Sequence, residues 1–180
     1  MIIEEKTISS EMIYQGSIIN LRKDKVSLDG EKTSFREIVE HKGGVGIAAI
    51  TKEGKMVLVK QYRKAAESAL FEIPAGKLDK VGDDPISAAR RELKEETGYK
   101  AENLTMLASF YTSVGFSNEM IYLFYASDLE PGEPCPDENE NIQTFLFDIK
   151  ELKEMIISGE ICDAKTIIAI LMVENQKVVK

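Results

Sequence analysis

The chain has 180 residues, 43% of them hydrophobic and 30% charged, a composition that fits one soluble globular domain with a small N-terminal extension and a proper core. A net charge of −8 argues against a nucleic-acid partner, which normally needs a basic stripe. Cys135 and Cys162 have no CxxC partner and His41 is the sole histidine, so a disulfide framework, a zinc site and a His-based triad are not indicated.

Met1-Ile2-Ile3-Glu4-Glu5 does not read as a signal peptide, and no apolar run approaches the roughly 18 residues of a membrane span. The expected location is cytoplasmic, without a membrane partner. Residues 12–40 alternate apolar and polar types in short pieces, from Ile13-Tyr14 and Ile18-Ile19 to Val26-Ser27-Leu28 and Phe35–Val39. Asp29-Gly30 marks a hairpin turn between the last two. This segment predicts a small antiparallel sheet that buries little by itself. His41, beside Lys42-Gly43-Gly44, reads as a turn or strand-end residue.

Val45–Ile50 and Met56–Val59 flank Lys52-Glu53-Gly54-Lys55, a second hairpin signal. Leu70–Ile73 runs into Pro74-Ala75-Gly76, a stop and a sharp turn. Asp84-Pro85 then supplies an N-cap and a proline at the first helical position, and Gly98 ends the helix. Ile86, Ala89 and Leu93 form its expected buried stripe. Leu104–Phe110 and Met120–Ala126 read as strands joined by residues 112–119, and Pro131–Pro136 as a loop before a strand at Thr144–Phe147. Asp148 and Asp163 are candidate caps for helices running to Ser158 and to about Glu174. Strands with three helices around them imply an α+β fold, as an α/β/α sandwich on a mixed sheet. The expected boundaries are a β-rich extension at 1–42 and a main domain at 43–180.

The 84–98 helix carries the chemistry. Glu92, Glu95 and Glu96 stand at i, i+3 and i+4 on a flank separate from the buried stripe. Like charges at this spacing weaken an isolated helix, so they are tolerated either in open water or against a cation. Three hard oxygen donors suit Mg²⁺ or Mn²⁺. The pattern Arg-Glu-x-x-Glu-Glu-x-Gly fixes five positions, and a chain of this length matches it by chance with probability on the order of 10⁻⁴.

The stretch Gly76 to Tyr99 resembles the box of the Nudix hydrolases, Gly-x5-Glu-x7-Arg-Glu-U-x-Glu-Glu-x-Gly-U, with U apolar. Arg91-Glu92-Leu93-Lys94-Glu95-Glu96-Thr97-Gly98-Tyr99 matches the second half. The first half departs twice, by one extra residue near Lys80-Val81-Gly82 and by Asp83 in place of glutamate. Further pieces are similar to the ADP-ribose pyrophosphatase branch: Phe35–His41, Val59–Arg63, Glu72–Leu78 and Gly115–Glu119.

The resemblance implies a Nudix-like fold and Mg²⁺-dependent hydrolysis of ADP-ribose to AMP and ribose 5-phosphate, with Mn²⁺ as a substitute. It implies that Glu92 and Glu96 ligate metal, with Glu95 as a further ligand or support, and that the Ala75 carbonyl completes the shell. Asp83, one methylene shorter than glutamate, is a doubtful ligand. Arg91 is expected to pair with a glutamate and orient it, while Gly76 and Gly98 serve geometry. Glu119, on a loop expected to shift as substrate enters, is the candidate general base, its rival being water activated by metal alone. One or both of Arg36 and Arg63 are expected to hold the diphosphate or the terminal ribose, the rival being ordinary surface ion pairs, and Glu37 and Glu72 are expected toward the adenine or ribose. Phe35 and Phe116 read either as base-stacking or as core aromatics. The branch also implies a homodimer in which the N-terminal sheet packs across the interface. Rival functions are hydrolysis of another diphosphate-linked substrate (nucleotide sugar, dinucleotide or FAD) and a catalytically silent nucleotide-sensing domain.

Overall fold

The computed structural model describes residues 2–30, 32–78, 84–135 and 141–177. Asp83 and the extra residue placed near Lys80-Val81-Gly82 lie outside the described residues, as does Pro136 at the end of the expected loop. The chain forms two compact units, one gathering residues 1–43 and 111–120, the other residues 44–110 and 121–180.

The first unit is built on an antiparallel meander of β1 (Lys6–Gln15), β2 (Ile19–Ser27) and β3 (Thr33–His41). Gly30, at φ +93°, makes the turn that the Asp29-Gly30 signal predicts. Arg22 is ion-paired to Glu40, and Ser10 and Arg22 both bond the buried Asp24 carboxylate. Residues 112–119 are stitched to β3. The Val39 amide donates to the Phe116 carbonyl at 2.7 Å, the Asn118 amide to the Val39 carbonyl at 3.2 Å, and the His41 amide to Asn118 Oδ1 at 2.8 Å. The loop expected to move is therefore bonded along its length in this structure.

The second unit contains β4 (Gly44–Ala49), β5 (Met56–Arg63), β6 (Ser68–Glu72), β7 (Ala75–Lys77), α1 (Pro85–Thr97), β8 (Lys100–Tyr111), β9 (Met120–Glu130), β10 (Gln143–Phe147), α2 (Ile149–Ser158) and α3 (Ala164–Lys177). One sheet has the order β7-β4-β9-β8 and is mixed, since β4 runs parallel to β9 and antiparallel to β7. The other is antiparallel, β10-β5-β6. The turn at Lys52–Lys55 forms, with the Thr51 amide on the Lys55 carbonyl and Gly54 at φ +80°. Its flanking strands do not make the expected hairpin. Beyond one bridge, Ile50 to Met56, they part into different sheets.

That parting leaves both strands buried on two faces. Ala48, Ile50, Met56 and Leu58 pack against Leu152 and Met155 of α2 and Ala169 and Ile170 of α3. The alternate residues Val45, Ile47, Ala49 and Val57 pack against Ala88, Ala89 and Leu93 of α1. Period-two alternation thus feeds two helical layers, the α/β/α arrangement expected from the sequence. The α1 stripe differs at one end: Ile86 is 40% exposed, and Ala88 takes the buried place instead. Among the described residues no helix is long and apolar enough to cross a membrane.

Candidate functional site

Helix α1 is fixed at both ends by local chemistry. Asp84 Oδ1 accepts from the Ile86 and Ser87 amides, each at 3.0 Å, and Pro85 sits where no intrahelical N–H is required. Bonds from Ser87 hold the exposed Asp84 carboxyl below its usual range. At the other end Gly98 adopts φ +77° and its amide reaches the Lys94 carbonyl at 2.9 Å. A side chain there would meet the Gly132 carbonyl oxygen at 2.2 Å. The Cys135 amide donates to the Glu95 carbonyl at 2.9 Å, so the segment after β9 braces the helix end.

These anchors present two of the three glutamates, Glu92 and Glu96, to β7. Glu96 is only 5% exposed, which rules out the open-water reading of that carboxylate. Its Oε2 accepts from the Ala75 amide at 3.1 Å. Glu92 lies over Gly76, where a β-carbon would stand 2.0 Å from its carboxyl carbon. Two carboxylates one helical turn apart are thus laid against Ala75-Gly76, the cradle for which the resemblance requires a glycine. Arg91 Nη1 donates to Glu92 Oε1 at 2.6 Å and to Glu95 Oε2 at 3.0 Å.

Among the described residues, no group of three His, Cys, Asp or Glu side chains is gathered closely enough to hold a metal ion as placed. The physical reason is the partition of the carboxylates, with Glu92 and Glu95 drawn to Arg91 and Glu96 turned to the Ala75 amide. The donor set still fits a hard divalent cation: three carboxylates on one capped helix, two of them, Glu92 and Glu96, against a strand whose glycine leaves room. Glu92, Glu95 and Glu96, with the Ala75 carbonyl, are the groups that would hold it, after the carboxylates swing from their present partners.

Arg63 and Glu72 meet directly. Arg63 Nε and Nη2 grip Glu72 Oε1 and Oε2 at 2.6 and 2.8 Å, a bidentate fork. Glu72 is 2% exposed and also receives Lys165 Nζ from α3, which in turn bonds Asp163 Oδ2 at 3.0 Å. Burial alone pushes the Glu72 carboxyl up, but the bonds and charges of Arg63 and Lys165 outweigh it and hold it below its usual value. The same fork raises Arg63. Asp163 caps α3 by accepting from the Thr166 amide at 3.1 Å and its hydroxyl at 2.6 Å, and that hydroxyl serves the buried Ile73 amide at 2.9 Å. Lys165 as a partner of Glu72 escapes the sequence reading, because 93 residues separate the two and no local pattern joins them.

The remaining candidates belong to the first unit. Arg36 pairs with Glu5, whose bond raises the arginine and lowers the glutamate. Glu37 is exposed on β3 opposite Lys23. Phe35 and Phe116 are both exposed, so neither is a core aromatic, and Lys23 Nζ stands 4.9 Å from the centre of the Phe35 ring. The Glu119 side chain, 31% exposed, accepts from Thr112 Oγ1 at 2.7 Å and lies 3.4 Å from His41 Nδ1. His41 ends β3, the strand-end place read from the sequence.

The chain is similar to several known proteins. The family model described as "NUDIX domain" matches residues 40–167, more than half of the chain. An ADP-ribose pyrophosphatase of Bacillus subtilis (strain 168) is 45% identical over 170 residues, covering 93% of this chain and 91% of the relative. A protein named methanol dehydrogenase activator, from Bacillus methanolicus, is 44% identical over 181 residues, covering 99% of this chain and 97% of the relative. The crystal structure of an ADP compounds hydrolase superposes with a TM-score of 0.86 at 20% identity, covering 98% of this chain and 95% of that one; at that identity the match establishes the fold.

Proposed function

The chain belongs to the Nudix hydrolase family, and from that premise we propose that it uses Mg²⁺ to hydrolyse the diphosphate of ADP-ribose to AMP and ribose 5-phosphate. The observation that supports the reading best is the laying of Glu92 and Glu96 against Gly76 and Ala75. Substrate choice follows the relatives named ADP-ribose pyrophosphatase and the branch-like pieces around Arg36, Arg63, Glu72 and Glu119.

A bound divalent ion, Mg²⁺ with Mn²⁺ as substitute, neutralises diphosphate oxygens and makes nearby water more acidic. The chain's own residues do the rest. Arg91 holds Glu92 and Glu95 in register, so the donor oxygens start from a defined geometry. Glu119 is assigned as the general base, taking the proton of the attacking water on its carboxylate. Arg63, anchored at Nε and Nη2 by Glu72, and Arg36 are assigned to the phosphate oxygens, whose negative charge their guanidinium groups offset. Glu72 then acts as the seat of Arg63, and Glu37 is assigned to the ribose or adenine side.

We read residues 43–180 as the hydrolase domain of a cytoplasmic homodimer, with residues 1–42 at its interface and no nucleic-acid or membrane partner. Every residue of the edge strand β1 is exposed, Ile8, Met12, Ile13 and Tyr14 among them. An uncovered apolar edge of this kind invites pairing with another chain. Light scattering that returned a monomer at working concentration would oppose the dimer. The deciding experiment for the activity is mass spectrometry of the products formed from ADP-ribose and Mg²⁺ in ¹⁸O-labelled water. AMP and ribose 5-phosphate, one of them labelled, support the assignment; unchanged ADP-ribose defeats it. A second reading, activation of an alcohol dehydrogenase, rests on the 44% identical relative over nearly the whole chain. A coupled dehydrogenase assay separates the two.

A further inference from the structure

Nδ1 of His41 faces two groups that it cannot serve at once. The Gly43 amide lies 3.0 Å away and donates to it, and Glu119 Oε1 lies 3.4 Å away. The nitrogen has one in-plane position for a hydrogen bond. In the neutral ring that position accepts from Gly43, and the ring proton is on Nε2. In the charged ring it holds a proton, cannot accept from Gly43, and has a carboxylate within reach.

The surroundings enforce this exclusivity. The His41 side chain is 11% exposed, and Gly43 is buried at φ +88°, a conformation that suits glycine. The His41 amide donates to the side-chain Oδ1 of Asn118, the residue before Glu119, which also ties His41 to the loop that carries the carboxylate. The other charged groups nearby are accounted for. On β3, Glu40 is taken by Arg22 of β2, and Lys42 follows His41 in an exposed position. Ile19, opposite His41 on β2, is uncharged. Among the described residues, Glu119 is the carboxylate within ion-pair distance of the ring.

The geometry points to His41 as a positioning residue for Glu119, acting through an exchange of partners at Nδ1. With the ring neutral, Nδ1 serves Gly43, and Glu119 is held by Thr112 Oγ1 with its second oxygen unclamped by charge. When the ring takes up a proton at Nδ1, the Gly43 amide is released and a charge-assisted bond to Glu119 Oε1 forms in its place. That bond fixes the carboxylate and weakens it as a proton acceptor. The inference rests on Glu119 being the base of the proposed reaction, and its test separates the two ideas.

The structural arm is a pair of crystal structures of the full chain at pH 8 and pH 5. At pH 5 the Nδ1–Oε1 distance is expected to close to about 2.8 Å and the Gly43 amide to move beyond about 3.5 Å from Nδ1. Unchanged partners at the two pH values overturn the inference. The kinetic arm compares wild type with H41N, whose Oδ1 can accept from Gly43 but cannot ionise, using ADP-ribose and Mg²⁺. The ratio of kcat in H41N to kcat in wild type is expected to rise roughly fivefold or more between pH 8 and pH 5.5, with little change in KM. A flat ratio overturns the positioning role. H41F, which also removes the Gly43 acceptor, isolates the fold contribution, since its melting temperature is expected to fall where that of H41N holds. Near-normal turnover in E119Q would remove the base assignment while leaving the pH-dependent exchange at Nδ1 standing.

Discussion

Gly76→Ala tests the cradle by adding one carbon. Gly76 lies outside the left-handed φ region, so alanine fits its backbone and any effect is steric. The new β-carbon would stand 2.0 Å from the Glu92 carboxyl carbon, whereas ordinary contact begins at 3.4 Å, so the carboxylate must retreat by about 1.4 Å. It is not free to do so cheaply, because Arg91 Nη1 holds Glu92 Oε1 at 2.6 Å. A misplacement of about 1 Å costs on the order of 10² in rate where geometry carries catalysis, so kcat/KM for ADP-ribose is expected to fall about 100-fold or more. Overpacking of this kind costs stability by about 1–3 kcal/mol, which leaves the fold intact by circular dichroism. Initial rates at several Mg²⁺ concentrations are the assay, with weaker metal dependence expected alongside the lower rate. Wild-type kcat/KM and Mg²⁺ dependence in G76A would refute the claim that Glu92 works from its seat on Gly76.

The other predictions concern the helix end, the buried ion cluster and the base. Gly98→Ala combines a φ of +77° with a clash against the Gly132 carbonyl oxygen at 2.2 Å; strain alone costs about 1–3 kcal/mol, and a melting temperature equal to wild type would deny the brace its role. Removing Glu72 with E72A leaves Lys165 with Asp163 alone and frees Arg63, at about 2–4 kcal/mol by urea unfolding; this is below the cost for a wholly buried pair because Arg63 is 42% exposed and Lys165 keeps Asp163. The same group sets an acid limb. Its folded pKa lies below the ordinary glutamate value of about 4.5, so its contribution is fully present above about pH 4.5 and is lost as pH falls through the lowered folded value. E72Q should flatten that limb, and an unchanged slope would detach Glu72 from acid unfolding. E119Q is expected to slow turnover by roughly two to four decades with metal affinity unchanged, measured by single-turnover kinetics and Mn²⁺ titration.

What the sequence made legible was local. Asp84-Pro85 and Gly98 bound α1 because capping is a matter of adjacent residues, and the Arg91–Gly98 pattern carries its own spacing. The Lys52–Lys55 turn was equally readable, but a turn does not say which sheet its strands join, and β4 and β5 separate after one bridge. Ile86 fits the helical stripe by period, yet it falls in the first turn, at the margin of the packed layer, and stays exposed. Two further pairs are nonlocal. Lys165 reaches Glu72 across 93 residues, and the Asn118 bond to the His41 amide spans 77. Composition holds no trace of either, since both depend on which strand ends the topology brings together.

The central proposal is that Glu92, Glu95 and Glu96 hold divalent cations, the first and last of them from their places against Gly76 and Ala75. Anomalous diffraction from crystals soaked in Mn²⁺ with a non-hydrolysable ADP-ribose analogue tests it most directly. The account predicts a manganese peak bonded by oxygens of Glu92 and Glu96 and by the Ala75 carbonyl, with Glu96 released from the Ala75 amide. No peak at that position, with the analogue bound, would contradict it.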